Sequence, residues 1–150
     1  MRVMQYKDVE YIFLEENFIL SEVTVRFLIK HSTNLMRYVQ PTNFKKSWYN
    51  CARVIVGKGY PKNKEVIPYM FKWLQDLNWP GATVIFKYLP QLPQDVFWCN
   101  LKKSVTEAQN NKDYDWLWSL YNLIKQNDIH PLTPEDFCLI EELDRQIKKY

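Results

Sequence analysis

Histidine is the side chain whose ordinary titration spans neutral pH, and this chain has two, His31 and His130, so a Ser or Cys nucleophile with a histidine base would have to use one of them. His31 shares a predicted helical face with Phe27 and Leu35 and reads as a partly buried structural group. His130 precedes Pro131 and reads as an exposed loop residue. Cys51, Cys99 and Cys138 are odd in number and far apart, with no Cys-x-x-Cys pair, which favours reduced thiols over a disulfide framework or a zinc site. Glu15–Glu16, Glu141–Glu142 and Asp113 with Asp115 are the residue types of glycosidase acid and base pairs. Each falls at a helix end or turn, where a solvated carboxylate is the simpler reading. Gly57-Lys58-Gly59 follows a helix and lacks the spacing of either nucleotide fingerprint, so it reads as a cap. No catalytic constellation stands out, and the expectation is a protein that is not an enzyme, with no cofactor and no metal.

The elements that would position these residues are helices. Trp48, Cys51, Ala52 and Ile55 share one face up to Gly57 and Gly59, which with Pro61 end the helix. A second helix, about Glu65 to Leu77, puts Val66, Met70, Leu74 and Leu77 on one stripe, with Pro68 tolerated in its first turn. Asn78 would end it in the left-handed conformation, and Pro80 would open the next helix, which runs to Leu89. Asp95 to Gln109 follows, with Phe97, Leu101, Val105 and Ala108 inward. After a loop at Asn110–Asp113, Asp113 or Asp115 caps a helix to Gln126 that buries Trp116, Leu117, Leu120, Leu123 and Ile124. Thr133-Pro134-Glu135-Asp136 is a strong helix start. Nearer the N-terminus, Ser21 would cap a helix from about Glu22 to Val39, although Val23, Val25, Phe27 and Ile29 also alternate like a strand. Tyr11 to Leu20 fits a small hairpin or another helix.

Composition supports one helical domain over residues 1–150. The apolar fraction is 47% and the aromatic fraction 16%, against three glycines, a balance suited to large side chains on helices and not to turn-rich sheets. The net charge of +3 comes from interspersed acids and bases, without the basic run of a dedicated nucleic-acid binder. No apolar run approaches the roughly 20 residues that span a bilayer, and Met1 to Asp8 has no signal-peptide core. These features predict a cytoplasmic protein, monomeric when free.

Three blocks carry a family resemblance: Trp73-Leu74-Gln75-Asp76-Leu77-Asn78-Trp79-Pro80, the preceding Gly59-Tyr60-Pro61 and Val66-Ile67-Pro68, and the later Asp113-Tyr114-Asp115-Trp116-Leu117-Trp118. They resemble a family of small bacterial proteins known only as a domain of unknown function, over roughly Asn43 to Ile124. The resemblance implies an all-α fold, a HEAT-like stack of antiparallel helix pairs, with residues 43–126 as the repeats. Residues 1–42 would be an extension packed on that core, and 133–150 a C-terminal helix. It also implies an interaction module found among genes that neutralise polymorphic or contact-dependent bacterial toxins, and so an immunity protein that binds a cognate toxin domain.

Within that frame Trp73 and Trp79 read as core aromatics wedging two helices apart, and Asp76 and Asn78 as polar groups that bond backbone at the junction, with Asp76 also a candidate for partner contact. Trp118 lies about 160° from the Leu120 stripe and so projects from the polar face. A Trp there can anchor an interface, with Tyr121, Asn122 and Lys125 beside it and Asp113 and Asp115 before it; the competing reading is that the C-terminal helix covers it. Tyr49 with Arg53 is a weaker candidate, equally explained by an exposed cation–π pair. The mild positive charge disfavours electrostatic steering to a strongly basic toxin, unless the local acids Asp113 and Asp115 make the contact. The alternative function is a nucleic-acid-binding helical repeat in which Lys45, Lys46, Arg53, Lys58, Lys62 and Lys64 follow phosphates.

Overall fold

Ser21 accepts a bond from the Thr24 amide (3.2 Å) and opens the first helix, α1, Glu22–His31, in a computed structural model that describes residues 21–39 and 45–149. The segment Tyr11 to Leu20, expected as a small hairpin or another helix, lies outside the described residues. Helix α1 ends at His31 and does not continue to Val39. Ser32 is extended, and a short 3₁₀ turn, Leu35–Tyr38, follows. The Ser32-Thr33-Asn34 run offers side chains that compete for backbone groups. The Lys58 ammonium, 2.6 Å from the carbonyl oxygens of both Ile29 and Ser32, satisfies the helix end. Only Val25 of the alternating set Val23, Val25, Phe27 and Ile29 is fully buried, because the segment is helical.

Helix α2, Trp48–Lys58, buries Cys51, Ala52, Val54 and Ile55 and closes on Gly59 at φ 71. Helix α3, Ile67–Trp73, is followed by α4, Ala82–Tyr88. Both are shorter than their sequence pattern: α3 stops before Leu77, and α4 starts after Pro80. The reason is Gly81, not Asn78. Gly81 is the residue in the left-handed region (φ 85), and a Cβ there would sit 2.6 Å from Ala52 Cβ and 2.9 Å from the Trp48 carbonyl oxygen. The chain therefore crosses α2 at van der Waals contact before it can turn into α4. Asn78 is held by an Asx turn instead, its amide donating to Asp76 Oδ1 at 2.8 Å.

Helix α5, Gln94–Asn111, reverses at Lys112 (φ 54) into α6, Tyr114–Gln126, and α7 is Pro134–Ile147. There is no strand among the described residues, and the fold is all-α. Packing is largely serial: α1 on α2, α2 on α4, α3 on α4 and α5, α5 on α6, α6 on α7. One core runs through the stack, with Trp73, Trp116, Tyr38, Phe71 and Phe97 its largest fully buried side chains. The Trp116 indole N–H donates to the Phe71 carbonyl (3.0 Å) and ties α6 to α3. Buried Asn63 donates to the Ile55 carbonyl (2.8 Å) and to the Tyr88 hydroxyl (3.0 Å), so a polar side chain joins α2 to α4 with its bonds made.

Helix α7 buries Leu143 in the core and is fixed by polar contacts as well. Thr133 and Asp136 form the reciprocal capping box expected from the sequence. Asp136 is buried, lies 2.6 Å from the Lys102 ammonium on α5, and accepts from the amides of Leu132 (2.9 Å) and Thr133 (3.1 Å). Burial acts to raise the Asp136 pKa, but Lys102, the Leu132 amide and Thr133 outweigh it and hold the carboxyl below its ordinary value of 3.8. The folded state therefore binds this proton more weakly than the unfolded chain. The stabilisation is complete above pH 3.8 and is lost as pH falls through the lowered folded value. Asp136→Asn should cost about 1–2 kcal/mol at neutral pH and flatten the acid limb. Melting temperatures followed from neutral pH downward would show this, and parallel profiles for the two proteins would refute it.

Candidate functional site

The turn between α3 and α4 is built by its own signature. The Trp73 indole N–H donates to the Pro80 carbonyl (2.9 Å), closing the loop from inside. The Trp79 amide donates to the Asp76 carbonyl (3.0 Å), and the Asp76 side chain fixes the Asn78 amide. The two tryptophans differ. Trp73 is fully buried, whereas Trp79 is half-buried and meets the Trp48 ring edge-on at 5.4 Å, so the expected wedge of two core aromatics is one core aromatic and one lid at the rim.

This turn faces the start of α6, where Asp113 caps the helix by accepting from the Trp116 amide at 3.0 Å. A cleft of about 580 Å³ lies between them. Asp76, Asp113, Asp115 and Trp118 line it, together with Gln75, Leu77, Asn78, Trp79 and Ser119. Trp118 remains 50% exposed, so the C-terminal helix does not cover it. None of the three carboxylates has an ion-pair partner among the described residues. The arrangement is an aromatic face beside uncompensated negative charge in a concavity. It suits a cation or a guanidinium, which an aromatic ring and a carboxylate can both hold.

Four of the seven residues expected at the interface, Asp76, Asp113, Asp115 and Trp118, thus meet at one cleft. The other three point elsewhere. The Tyr121 hydroxyl donates to Asp144 on α7 at 2.7 Å, and the Lys125 ammonium lies over the Tyr121 ring at 5.6 Å. The bond to Asp144, then burial, raises the Tyr121 pKa, as expected for a hydroxyl whose proton is engaged. Asn122 bonds back to the Trp118 carbonyl within its own helix (2.8 Å). Helical spacing placed these residues near Trp118, but α7 occupies the flank of Tyr121 and Lys125, and Asn122 is not among the residues that line the cleft. The cleft walls Gln75, Leu77, Trp79 and Ser119 escaped the sequence reading, which treated the α3–α4 turn and α6 as separate elements. The Asp-x-Asn pattern at Asp76–Asn78 is the one local signal of a turn that projects side chains outward.

The histidine and cysteine candidates do not assemble. His31 is exposed, not partly buried; it lies against the Phe27 ring with centroids 4.5 Å apart, and Leu35 belongs to the 3₁₀ turn beyond its helix. His130 is exposed beside Asp128 at 3.5 Å. Burial pushes the Cys51 thiol well above its ordinary range, which makes it a poor nucleophile, while Cys99 and Cys138 are exposed and form no disulfide among the described residues. No group of His, Cys, Asp and Glu among the described residues could hold a metal ion.

The basic cluster is partly spent on the fold. Lys58 caps α1; burial first, and then Lys62, lower its pKa. Arg53 bonds Asn50 Oδ1 (3.2 Å), approaches Glu22 (3.8 Å) and stacks on Tyr49 at 5.6 Å, so the cation–π pair of the sequence reading is present, but with a largely buried arginine where an exposed one was expected. No helix of the described residues is long and apolar enough to cross a membrane.

The model of a family described as Domain of unknown function (DUF5071) matches residues 45–149, which includes both walls of the cleft and α7. No curated protein and no solved structure matches the chain.

Proposed function

The chain belongs to the family described as Domain of unknown function (DUF5071), and from that premise and the cleft geometry we propose that it is a cytoplasmic immunity protein. It binds a cognate bacterial toxin domain, of the polymorphic or contact-dependent kind, one to one and blocks it without chemistry of its own. The observation that carries this reading is the half-exposed Trp118 at the wall of a cleft with Asp76, Asp113 and Asp115. An aromatic centre with a polar and charged rim is how protein interfaces are commonly built. The cleft also answers the objection from net charge. A chain of +3 overall still presents a concentrated negative field at this one place.

The test is calorimetric titration of the purified chain with toxin domains of the polymorphic or contact-dependent kind drawn from the same genome, together with a toxicity assay in cells that carry both. A one-to-one complex and protection are expected. Full protection by a chain that forms no complex would point instead to an enzymatic or indirect mechanism.

A further inference from the structure

The acidic cleft does not stand alone. A second hollow of about 360 Å³ opens at the other end of α6, lined by Leu77, Thr83, Phe86, Lys87, Gln126 and Asn127. Leu77 lines both hollows, so they adjoin across one side chain. Taken together as one groove, they lie between the two ends of α6 on one side and the α3–α4 turn with α4 on the other, with the Leu77 side chain between them. Its two ends differ in chemistry. At the α6 N-terminus are Trp118 and three carboxylates; at the C-terminus are the apolar faces of Leu77 and Phe86, with Lys87 among the lining residues.

Resting on the proposal that this face binds a protein partner, we infer that the two hollows act as one groove and take an extended segment of that partner carrying an arginine or lysine at one end and an aliphatic side chain at the other. Charge complementarity selects the cation. Asp76 and Asp113 each commit one carboxylate oxygen to a backbone amide, at Asn78 and Trp116, and each keeps a second oxygen, while the Asp115 side chain makes no hydrogen bond or ion pair among the described residues. Trp118 supplies a flat surface for the cation beside them. The spacing follows from α6. Gln126 lies eight positions after Trp118, about 12 Å along the helix at 1.5 Å per residue. A strand advances about 3.3 Å per residue, so the basic and aliphatic residues of the segment stand about four positions apart. A segment with its charge at the wrong end would place a cation against Leu77 and Phe86 and leave the carboxylates unanswered, so the groove also fixes direction.

The experiment uses the full chain, isotope-labelled for amide and indole NMR, and a blocked pentapeptide with arginine first, leucine last and serines between. Titration should shift the Trp118 indole N–H and the Thr83 amide together, in proportion to one binding curve. Replacing the peptide arginine by glutamate should abolish the shifts, and Asp115→Asn in the chain should weaken binding at least fivefold. Thr83→Glu, at an exposed position of the second hollow, should weaken it similarly through that end alone. Shifts confined to one end, or unaffected by the arginine replacement, would overturn the groove. The probe needs no toxin, so its outcome is separate from the broader reading. A toxin domain that binds while Asp115→Asn and Thr83→Glu leave its affinity unchanged would sink this inference alone, and a groove that takes the peptide in a chain that binds no toxin would sink the other.

Discussion

Trp73→Ala is expected to lower stability by about 3–5 kcal/mol, the range for large aromatic truncations in a core that cannot collapse around the loss. Two effects add. Trp73 is fully buried at the α3 end and touches the Trp48 ring edge-on at 6.2 Å, so its removal opens a cavity between α2, α3 and the turn. Its indole N–H also holds the Pro80 carbonyl, one residue before Gly81 passes against α2. Without that bond the turn loses an internal fastening at the place where backbone contact with α2 is closest. Trp79→Ala is the control: its ring is half-buried, and its loss should cost about 1–2 kcal/mol, in line with the smaller apolar area covered. Urea unfolding of both variants measures the difference. Equal costs would show that the signature acts as one unit, and a Trp73→Ala protein as stable as its parent would remove the turn from the core.

The difference between these two tryptophans shows what the sequence could reveal. Periodicity located α5, α6 and α7 well because each is long enough for apolar positions to recur through three or more turns, and because Thr133 and the Asp113–Asp115 pair mark where α7 and α6 begin. It failed between Val66 and Leu89. There α3 and α4 have seven residues each, and a stripe that includes Leu77 fits an extended helix as well as a helix followed by a turn. What decides is the approach of Gly81 to Ala52 and Trp48, a contact between residues some thirty positions apart that leaves no local trace except the glycine itself. The same limit applied to α1. Its stop depends on Lys58 reaching back to the carbonyls of Ile29 and Ser32, so a lysine that looked like surface charge is part of a helix end.

The candidate site was legible where it lay on one element. Trp118 was identified as outward-facing by its angle to Leu120, and Asp113 and Asp115 by their place at the helix start. Asp76 belongs with them only because the α3–α4 turn folds beside α6. Tyr121 and Lys125 do not, because Asp144 and the rest of α7 occupy their side. Helical spacing defines an arc of about 100° around Trp118. Which half of that arc stays open depends on where the next helix packs.

Trp118→Ala is expected to weaken the complex with the cognate toxin domain by roughly 30- to 1,000-fold, about 2–4 kcal/mol, the range for a central tryptophan anchor. The side chain is half exposed, so its removal leaves no cavity in the free protein, and the melting temperature should stay close to that of the parent. That separation makes the variant informative: a large loss of affinity with unchanged stability can only come from the bound state. Tyr121→Phe gives the opposite pattern. It removes the bond to Asp144 at the α6–α7 seam and should lower stability modestly while leaving affinity alone. Calorimetric titration of the toxin domain into each variant, after its melting curve is recorded, tests the pair. Unchanged affinity in Trp118→Ala would exclude this face as the interface. A loss in Tyr121→Phe at equal stability would extend the interface across α6 towards α7, because a partner would then have to reach the hydroxyl that Asp144 holds in the free protein.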